Sequence, residues 1–363
     1  MYLKRLNIIN YKNIKSAELD FLQGLNCFVG KNGAGKTNLL DSVYYLSFCK
    51  SYFNSTDNQV IRHEEDFFMI QGNYERNENE EFIYAGFKRN QKKQFKRNKK
   101  EYSKLSEHIG LLPLVMISPV DERLIVEASD LRRRYVDSVI SQFDKGYLEY
   151  LIRYNRALEQ RNSLLKNWKN LTGDIVSQLE IWDNQLEIAG NVIFEKRSKF
   201  INEIKYVFQE YYSNLSGGSE VVDLIYHSHF QDYNYNELLS QNRERDMVLG
   251  YTTKGIHRDD LELLLNEYPV RQIGSQGQKK CFMIALKLAQ YDFLNLRNGF
   301  SPILLLDDVF DKLDTERGSR LINLVGQNHF RQIFVTDTQK ERLNSVVKET
   351  GKEFVFFEVE NLQ

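Results

Sequence analysis

Apolar and polar side chains alternate along the first 29 residues, with Leu3, Leu6 and Ile8 set against Lys4, Arg5 and Asn7. This pattern predicts three short strands with a turn at Tyr11–Lys15. The period then changes: after an apolar run of Leu25 and Cys27–Val29, Leu39, Leu40, Val43, Tyr44 and Leu46 recur at helical spacing. Alternation returns in Phe67–Tyr74, Glu81–Phe87 and Gln94–Lys96, separated by polar turns, which predicts an antiparallel meander. Beyond an apolar strand at Leu111–Ile117 and Pro119, the pattern is helical for about ninety residues. Ser129-Asp130 can cap a helix buried along Val136, Val139, Ile140 and Phe143. Two longer helices follow, through Leu151, Tyr154, Leu158, Leu165 and Trp168 and through Leu179, Trp182, Leu186, Ala189, Ile193, Phe200, Ile204 and Phe208. With a turn at Asn170–Asp174 they form an antiparallel hairpin, each arm about 35 to 50 Å at 1.5 Å per residue. Ser216-Gly217-Gly218-Ser219 closes this lobe, and strands resume at Val221–Tyr226 and Leu261–Leu265.

The expected fold class is α/β: a P-loop head with a mixed sheet and an antiparallel strand-rich subdomain, plus an inserted all-helical lobe. The N-terminal part of the head takes 1–118, the lobe 119–216 and the C-terminal part of the head 217–363. Of the 363 residues, 42% are apolar and 27% charged, and four are proline, which fits a globular protein without long disordered linkers. The net charge of −1 means that any nucleic-acid surface must be local. Cys27, Cys49 and Cys281 lie far apart, suggesting neither a zinc site nor a disulfide framework. No long apolar run marks a signal peptide or a membrane span, so the expected location is the cytoplasm with no membrane partner.

The candidate chemistry begins at Gly30-Lys31-Asn32-Gly33-Ala34-Gly35-Lys36-Thr37, a full match to the phosphate-loop pattern between strand and helix. Its backbone N–H groups and the helix N-terminus would cradle phosphates; Lys36 would reach the β- and γ-phosphates and the Thr37 hydroxyl would bind Mg²⁺. Pro302–Asp308 is an apolar run ending in two carboxylates, the look of a buried parallel strand. Ligands bind beyond the C-terminal ends of such strands, so Asp307 would support the Mg²⁺ shell and Asp308 would orient or deprotonate the attacking water. Gln332–Thr338 reads as another buried strand whose polar end points to the site. Ser275-Gln276-Gly277-Gln278 opens a helix and is either an ordinary cap or a second anion site. A second phosphate-binding element makes sense if two copies meet, each covering the other's nucleotide, which predicts an ATP-dependent homodimer. Lys88–Lys100 carries eight basic residues and no acid, either a contact to phosphate backbone or a solvated hairpin edge. Arg132-Arg133-Arg134 reads as a solvated, ion-paired helix face in preference to a phosphate contact.

Taken in order, these motifs resemble the ABC-type ATPases of the SMC group and, more closely, the RecF family. The resemblance rests also on Gly255–Leu261, Arg132–Asp137 and Asp307–Asp314, and covers essentially the whole chain. It implies an ATP-bound dimer on double-stranded DNA near single-strand gap junctions. Such a dimer would work with RecO and RecR to load RecA, and hydrolysis would release it. It further implies that Ser275 and Gly277 reach the partner subunit's γ-phosphate and that Asp314 lies in a loop crossing the dimer interface. Three positions depart from the family pattern: Phe53, near which an arginine is usual and Lys50 would have to substitute, Ile256 in place of a proline, and Lys312 in place of an acid. Asp308, shorter by a methylene than the glutamate of many such engines, implies slow, DNA-dependent ATP turnover. A transporter-type ATPase subunit, or a DNA clamp in which hydrolysis is incidental, are the alternatives.

Overall fold

The computed structural model describes every residue except 77, 171–173, 219, 232–234, 312, 328 and 363. The expected turn through Leu171–Gly173, and Ser219 and Lys312, therefore lie outside the described residues. The chain divides into two compact units, one of Met1–Glu122, Tyr211–Ser219 and Ser275–Gln363, the other of Arg123–Glu210 and Glu220–Gly274.

The first unit holds two sheets. One is antiparallel, from β1 (Tyr2–Tyr11), β2 (Ile14–Asp20), β4 (Phe67–Arg76), β5 (Asn79–Lys88), β6 (Gln94–Arg97) and β7 (Lys100–Glu101), in the order β2-β1-β4-β5-β6-β7. The other is parallel, ordered β14-β3-β13-β12-β8, from β3 (Leu25–Val29), β8 (Leu114–Ile117), β12 (Ile303–Leu306), β13 (Gln332–Asp337) and β14 (Phe354–Glu358). Four of its strands, β3, β8, β12 and β13, are buried at every position, as continuous apolar runs require in a sheet covered on both faces. Helix α1 (Lys36–Phe48) is buried nearly all round, and its Leu39, Leu40, Val43 and Leu46 share one core with side chains of both sheets. Gln332, buried at the start of β13, accepts from Leu3 N at 2.7 Å and donates to Leu3 O at 2.8 Å, tying the sheets together. Three further helices complete the unit: α8 (Gln276–Asn298), α9 (Thr315–Val325) and α10 (Lys340–Glu349).

The second unit contains α2 (Arg123–Val126), α3 (Ser129–Ser141), α4 (Lys145–Asn167), α6 (Tyr235–Leu249), α7 (Val270–Ile273) and most of α5 (Ile175–Ser216). Its three-stranded antiparallel sheet is ordered β11-β10-β9, from β9 (Val222–His227), β10 (Asp260–Leu265) and β11 (Tyr268–Pro269). Residues 220–274, expected within the C-terminal part of the head, thus cluster with the helices, while every described element within 119–216 is helical. Alternation announces a strand but not the core it joins. The second hairpin arm also exceeds expectation: α5 has 42 residues, or about 63 Å. Helix α6 was not foreseen, because its sequence is mostly polar and buries only Leu238 and Leu239 among its leucines.

This unit also buries charge. Arg132 is not a solvated face: its Nε and Nη2 donate to Asp260 at 2.7 and 3.0 Å, and Nη1 to Leu124 O and Glu127 O. Ser129 is the first helical residue, not the cap, and its Oγ accepts from Arg133, which also donates to Asp259 O. The arginine run and the Gly255–Leu261 segment are one scaffold. Arg134 alone is exposed, 3.6 Å from Asp130. Ile256 is buried, and its carbonyl accepts from Arg197 at 2.9 Å. His257 lies partly buried between Tyr154 OH at 2.9 Å and Thr252 O at 3.1 Å, and desolvation lowers its pKa to about 4. The folded state refuses a proton that the unfolded chain accepts near pH 6.5, so this histidine removes stability as pH falls from there toward 4. Urea unfolding of wild type and His257→Gln from pH 7 to 4 should show a steeper loss in wild type; parallel curves would refute the assignment.

Candidate functional site

The phosphate loop leaves the end of β3 and turns into α1 with Gly33 at φ 81° and Gly35 at φ 112°, conformations in which a Cβ is strained. Gly35 has a second constraint: a Cβ there would sit 2.8 Å from Asn13 Oδ1. Asn13, in the β1–β2 turn, donates to Gly33 O at 3.0 Å and accepts from Asn38 Nδ2 at 2.7 Å, clamping the loop from outside. Lys36 is buried, and its Nζ donates to Gly30 O at 2.8 Å and Lys31 O at 3.0 Å, so the ammonium is held against its own loop.

Asp307 follows β12 and is 3% exposed. Its Oδ1 accepts from Thr37 Oγ1 at 2.9 Å and Thr336 Oγ1 at 3.0 Å, and its Oδ2 from Ser118 Oγ at 3.2 Å. Burial raises its pKa, while these hydroxyls oppose the shift. Asp308 takes the left-handed conformation at φ 46°, which aspartate tolerates better than most residues, and its N–H donates to Thr336 Oγ1 at 2.9 Å. Its pKa is raised by burial, and the nearby Lys36 charge acts against that rise. The expected juxtaposition of Thr37, Lys36, Asp307 and Asp308 is therefore present. Thr336 belongs to the polar end of Gln332–Thr338, expected to point to the site, and does so; Asn13 and Ser118 complete the site without being singled out in the sequence, though Ser118 carries the same signal of a polar residue just past a buried strand.

One hydroxyl and one carboxylate side by side suit Mg²⁺, which binds few protein oxygens and keeps its other positions for water and phosphate. No cluster of three or more His, Cys, Asp or Glu that would favour another metal occurs among the described residues. Thr37 and Asp307 would hold the ion, and its chemistry there is to neutralise charge on the phosphates.

Ser275, Gly277 and Gln278 form a separate cluster at the start of α8. Ser275 Oγ accepts from Gln278 N at 3.2 Å and Gln278 Oε1 from Ser275 N at 2.7 Å, a capping box. Both sequence readings remain compatible with this, since the exposed Ser275 hydroxyl accepts the cap bond and keeps its proton for donation outward. Gly277 lies against Arg317: a Cβ there would sit 2.4 Å from Arg317 Nη1, so the arginine tip would have to move. Arg317 N in turn donates to Asp314 Oδ1 at 2.9 Å, where Asp314 caps α9. The expected signature and interface loop thus share Arg317. Near the P-loop helix, Asp41 is fully buried and gathers Tyr11 OH, Ser51 Oγ, Tyr52 N and Lys12 Nζ, each at 2.7 Å. Lys12 also lies 5.1 Å from the Phe53 ring centroid, so the departing Phe53 packs under a lysine.

The basic tract divides. Lys93 pairs with Asp57 at 2.8 Å, Arg97 with Glu81, Arg89 donates to Glu65 O and Lys96 lies over the Tyr84 ring, whereas Lys88, Lys92, Lys99 and Lys100 are exposed.

A family model described as "RecF/RecN/SMC N terminal domain" matches residues 2–356. Over 363 residues the chain is 52% identical to the DNA replication and repair protein RecF of Phocaeicola vulgatus, covering 99% of this chain and 97% of that protein. The chain belongs to the RecF family. RecF of Flavobacterium johnsoniae is 46% identical, with 98% of this chain and 99% of that one covered. A solved structure of the recombination mediator protein RecF with ATP, described as part of the RecFOR pathway, superposes with a TM-score of 0.85 at 32% identity over 93% of this chain and 92% of that one. The Smc head domain of Pyrococcus furiosus, at 17% identity and a TM-score of 0.59 over 99% of this chain and 94% of that one, shares the fold. The head is therefore that of an ABC-type ATPase. No helix among the described residues is long and apolar enough to cross a membrane.

Proposed function

We propose that this protein is an ATP-driven DNA-binding recombination mediator. ATP with Mg²⁺ binds at Gly30–Thr37; two copies then associate, Ser275 and Gly277 of each covering the other's γ-phosphate. The observation that carries the reading is the Thr37 Oγ1 to Asp307 contact at 2.9 Å, with Asp308 next in sequence and the Lys36 charge close by. That set can bind metal, hold a phosphate and position a water. The dimer engages double-stranded DNA near single-strand gaps and, with RecR and RecO, helps load RecA. Slow hydrolysis, with Asp308 as the group acting on water, releases it. The solved RecF with ATP supports the nucleotide assignment, and the exposed Lys88, Lys92, Lys99 and Lys100 are the contacts to phosphate backbone that the basic tract leaves available.

Duplex DNA binding measured without nucleotide, with ADP and with ATP, at two salt concentrations, tests this. Binding should be tightest with ATP and weaken with salt, and replacing Lys99 and Lys100 by glutamine should reduce the salt slope by about 0.9 per lost contact. Identical affinity in all three nucleotide states would refute the switch.

A further inference from the structure

The turn that follows β8 is held by a buried ion pair to which the chemistry above assigns no part. Lys287 and Asp121, with side chains 7% and 4% exposed, lie within the first unit with Lys287 Nζ 2.9 Å from Asp121 Oδ1. Lys287 comes from the middle of α8, and Asp121 from the single helical turn Pro119–Glu122. The Tyr52 hydroxyl donates to Asp121 Oδ1 and accepts from Lys287 Nζ at 3.3 Å. Tyr52 is itself fixed by its backbone N–H, which donates to Asp41 of α1. Such a pair is weak evidence for stability, because apolar side chains of similar volume would hold these elements together as well or better. What they would not do is hold Ser118. Asp121 Oδ2 accepts from Ser118 N at 2.8 Å, and Asp121 N donates to Ser118 O at 3.0 Å, so one residue closes the turn in both directions.

The Ser118 hydroxyl thereby faces Asp307 Oδ2 at 3.2 Å, and among the described residues no other group donates to that oxygen. Asp307 Oδ1, by contrast, accepts from both Thr37 and Thr336. A carboxylate bonded at one oxygen can swing about that contact; bonded at both, its plane is set. The contacts form a ring, from Asp41 through Tyr52, Asp121, Ser118 and Asp307 to Thr37, which stands on the same helix as Asp41. We propose that Asp121 is a positioning residue for the metal site: held by Lys287 and Tyr52, it acts through Ser118 to fix the Asp307 carboxylate in the orientation that, with Thr37, receives Mg²⁺. This rests on the reading of Thr37 and Asp307 as the holders of that ion. Groups that orient a metal ligand from behind are worth about 10- to 100-fold in metal affinity. The Ser51–Asn54 segment, which departs from the family pattern at Phe53, thus has a part in the site through Tyr52.

The test is a Mg²⁺ titration of a fluorescent ATP analogue on the full-length protein, read by anisotropy, beside binding of the same analogue in EDTA. Asp121→Asn keeps the shape and loses the charge; it should raise the Mg²⁺ concentration at half-saturation about tenfold and leave affinity in EDTA unchanged. Ser118→Ala should do the same, and the double variant should be no worse than either single one, because both break one line of contact. Should Asp121→Asn fail to fold, Tyr52→Phe, which removes a single hydroxyl, gives a smaller shift that likewise vanishes in the Ser118→Ala background. An unchanged Mg²⁺ requirement in the folded variants would overturn the proposal. So would shifts that multiply in the double variant, or a loss of affinity that is equal in EDTA, since either belongs to an ion pair that only supports the fold. A wild type indifferent to Mg²⁺ would instead remove the metal from Thr37 and Asp307 altogether, and this inference with it.

Discussion

Asp308→Asn is expected to bind ATP with Mg²⁺ as wild type does and to hydrolyse it about 10²- to 10⁴-fold more slowly, the range for loss of a general base. Asparagine is nearly isosteric and also tolerates the φ of 46° at this position, so the turn after β12 and the bond from its N–H to Thr336 Oγ1 are retained. Asp307, which touches Thr37, is untouched by the change. Single-turnover phosphate release with saturating ATP, beside equilibrium nucleotide binding, separates chemistry from affinity. Unchanged hydrolysis would remove Asp308 from the mechanism. A parallel loss of ATP affinity would place it in binding instead.

The second large effect is on stability. Arg161, fully buried in α4, donates to Asp183 at 2.6 Å, Asp246 at 2.7 Å and Thr252 Oγ1 at 2.9 Å. Replacing it with alanine leaves two buried carboxylates facing a cavity, and such removals cost about 3 to 5 kcal/mol. Arg161→Ala should therefore lower the denaturant midpoint with little change in slope, and Arg161→Lys, which keeps one charge but loses the fork, should fall between the two. A loss below about 1 kcal/mol would mean that the triad is not closed as described.

These two cases mark how far the sequence could be read. The phosphate loop and Asp307-Asp308 are legible because each is local: eight consecutive residues between a strand and a helix, and an apolar run with its two terminal acids. Both rest on neighbours in sequence. The burial of Arg132 is not legible for the opposite reason, since its partner Asp260 lies 128 residues away and a run of three arginines looks the same whether solvated or buried. Arg161 gave no signal at all, being one cation among many on a helix of mixed polarity. Asn13 clamps Gly33 from a turn whose sequence announces only a change of direction. Helix α6 escaped because its buried face includes Asp246, a charge whose burial is sensible only once Arg161 is beside it. Where a contact is made across the fold by polar groups, hydrophobic periodicity carries no trace of it.

In the proposed mechanism a second copy of the chain completes the nucleotide site. Within one chain Gly30–Thr37 gathers Asp307 and Asp308, while Ser275 and Gly277 form their own cluster with Arg317 and Asp314. Sedimentation velocity of Asp308→Asn with Mg²⁺, in ATP, in ADP and without nucleotide, tests this directly. The account predicts a dimer in ATP alone, abolished by adding Ser275→Arg while ATP remains bound. A monomer in all three conditions, or a dimer indifferent to Ser275→Arg, would contradict it.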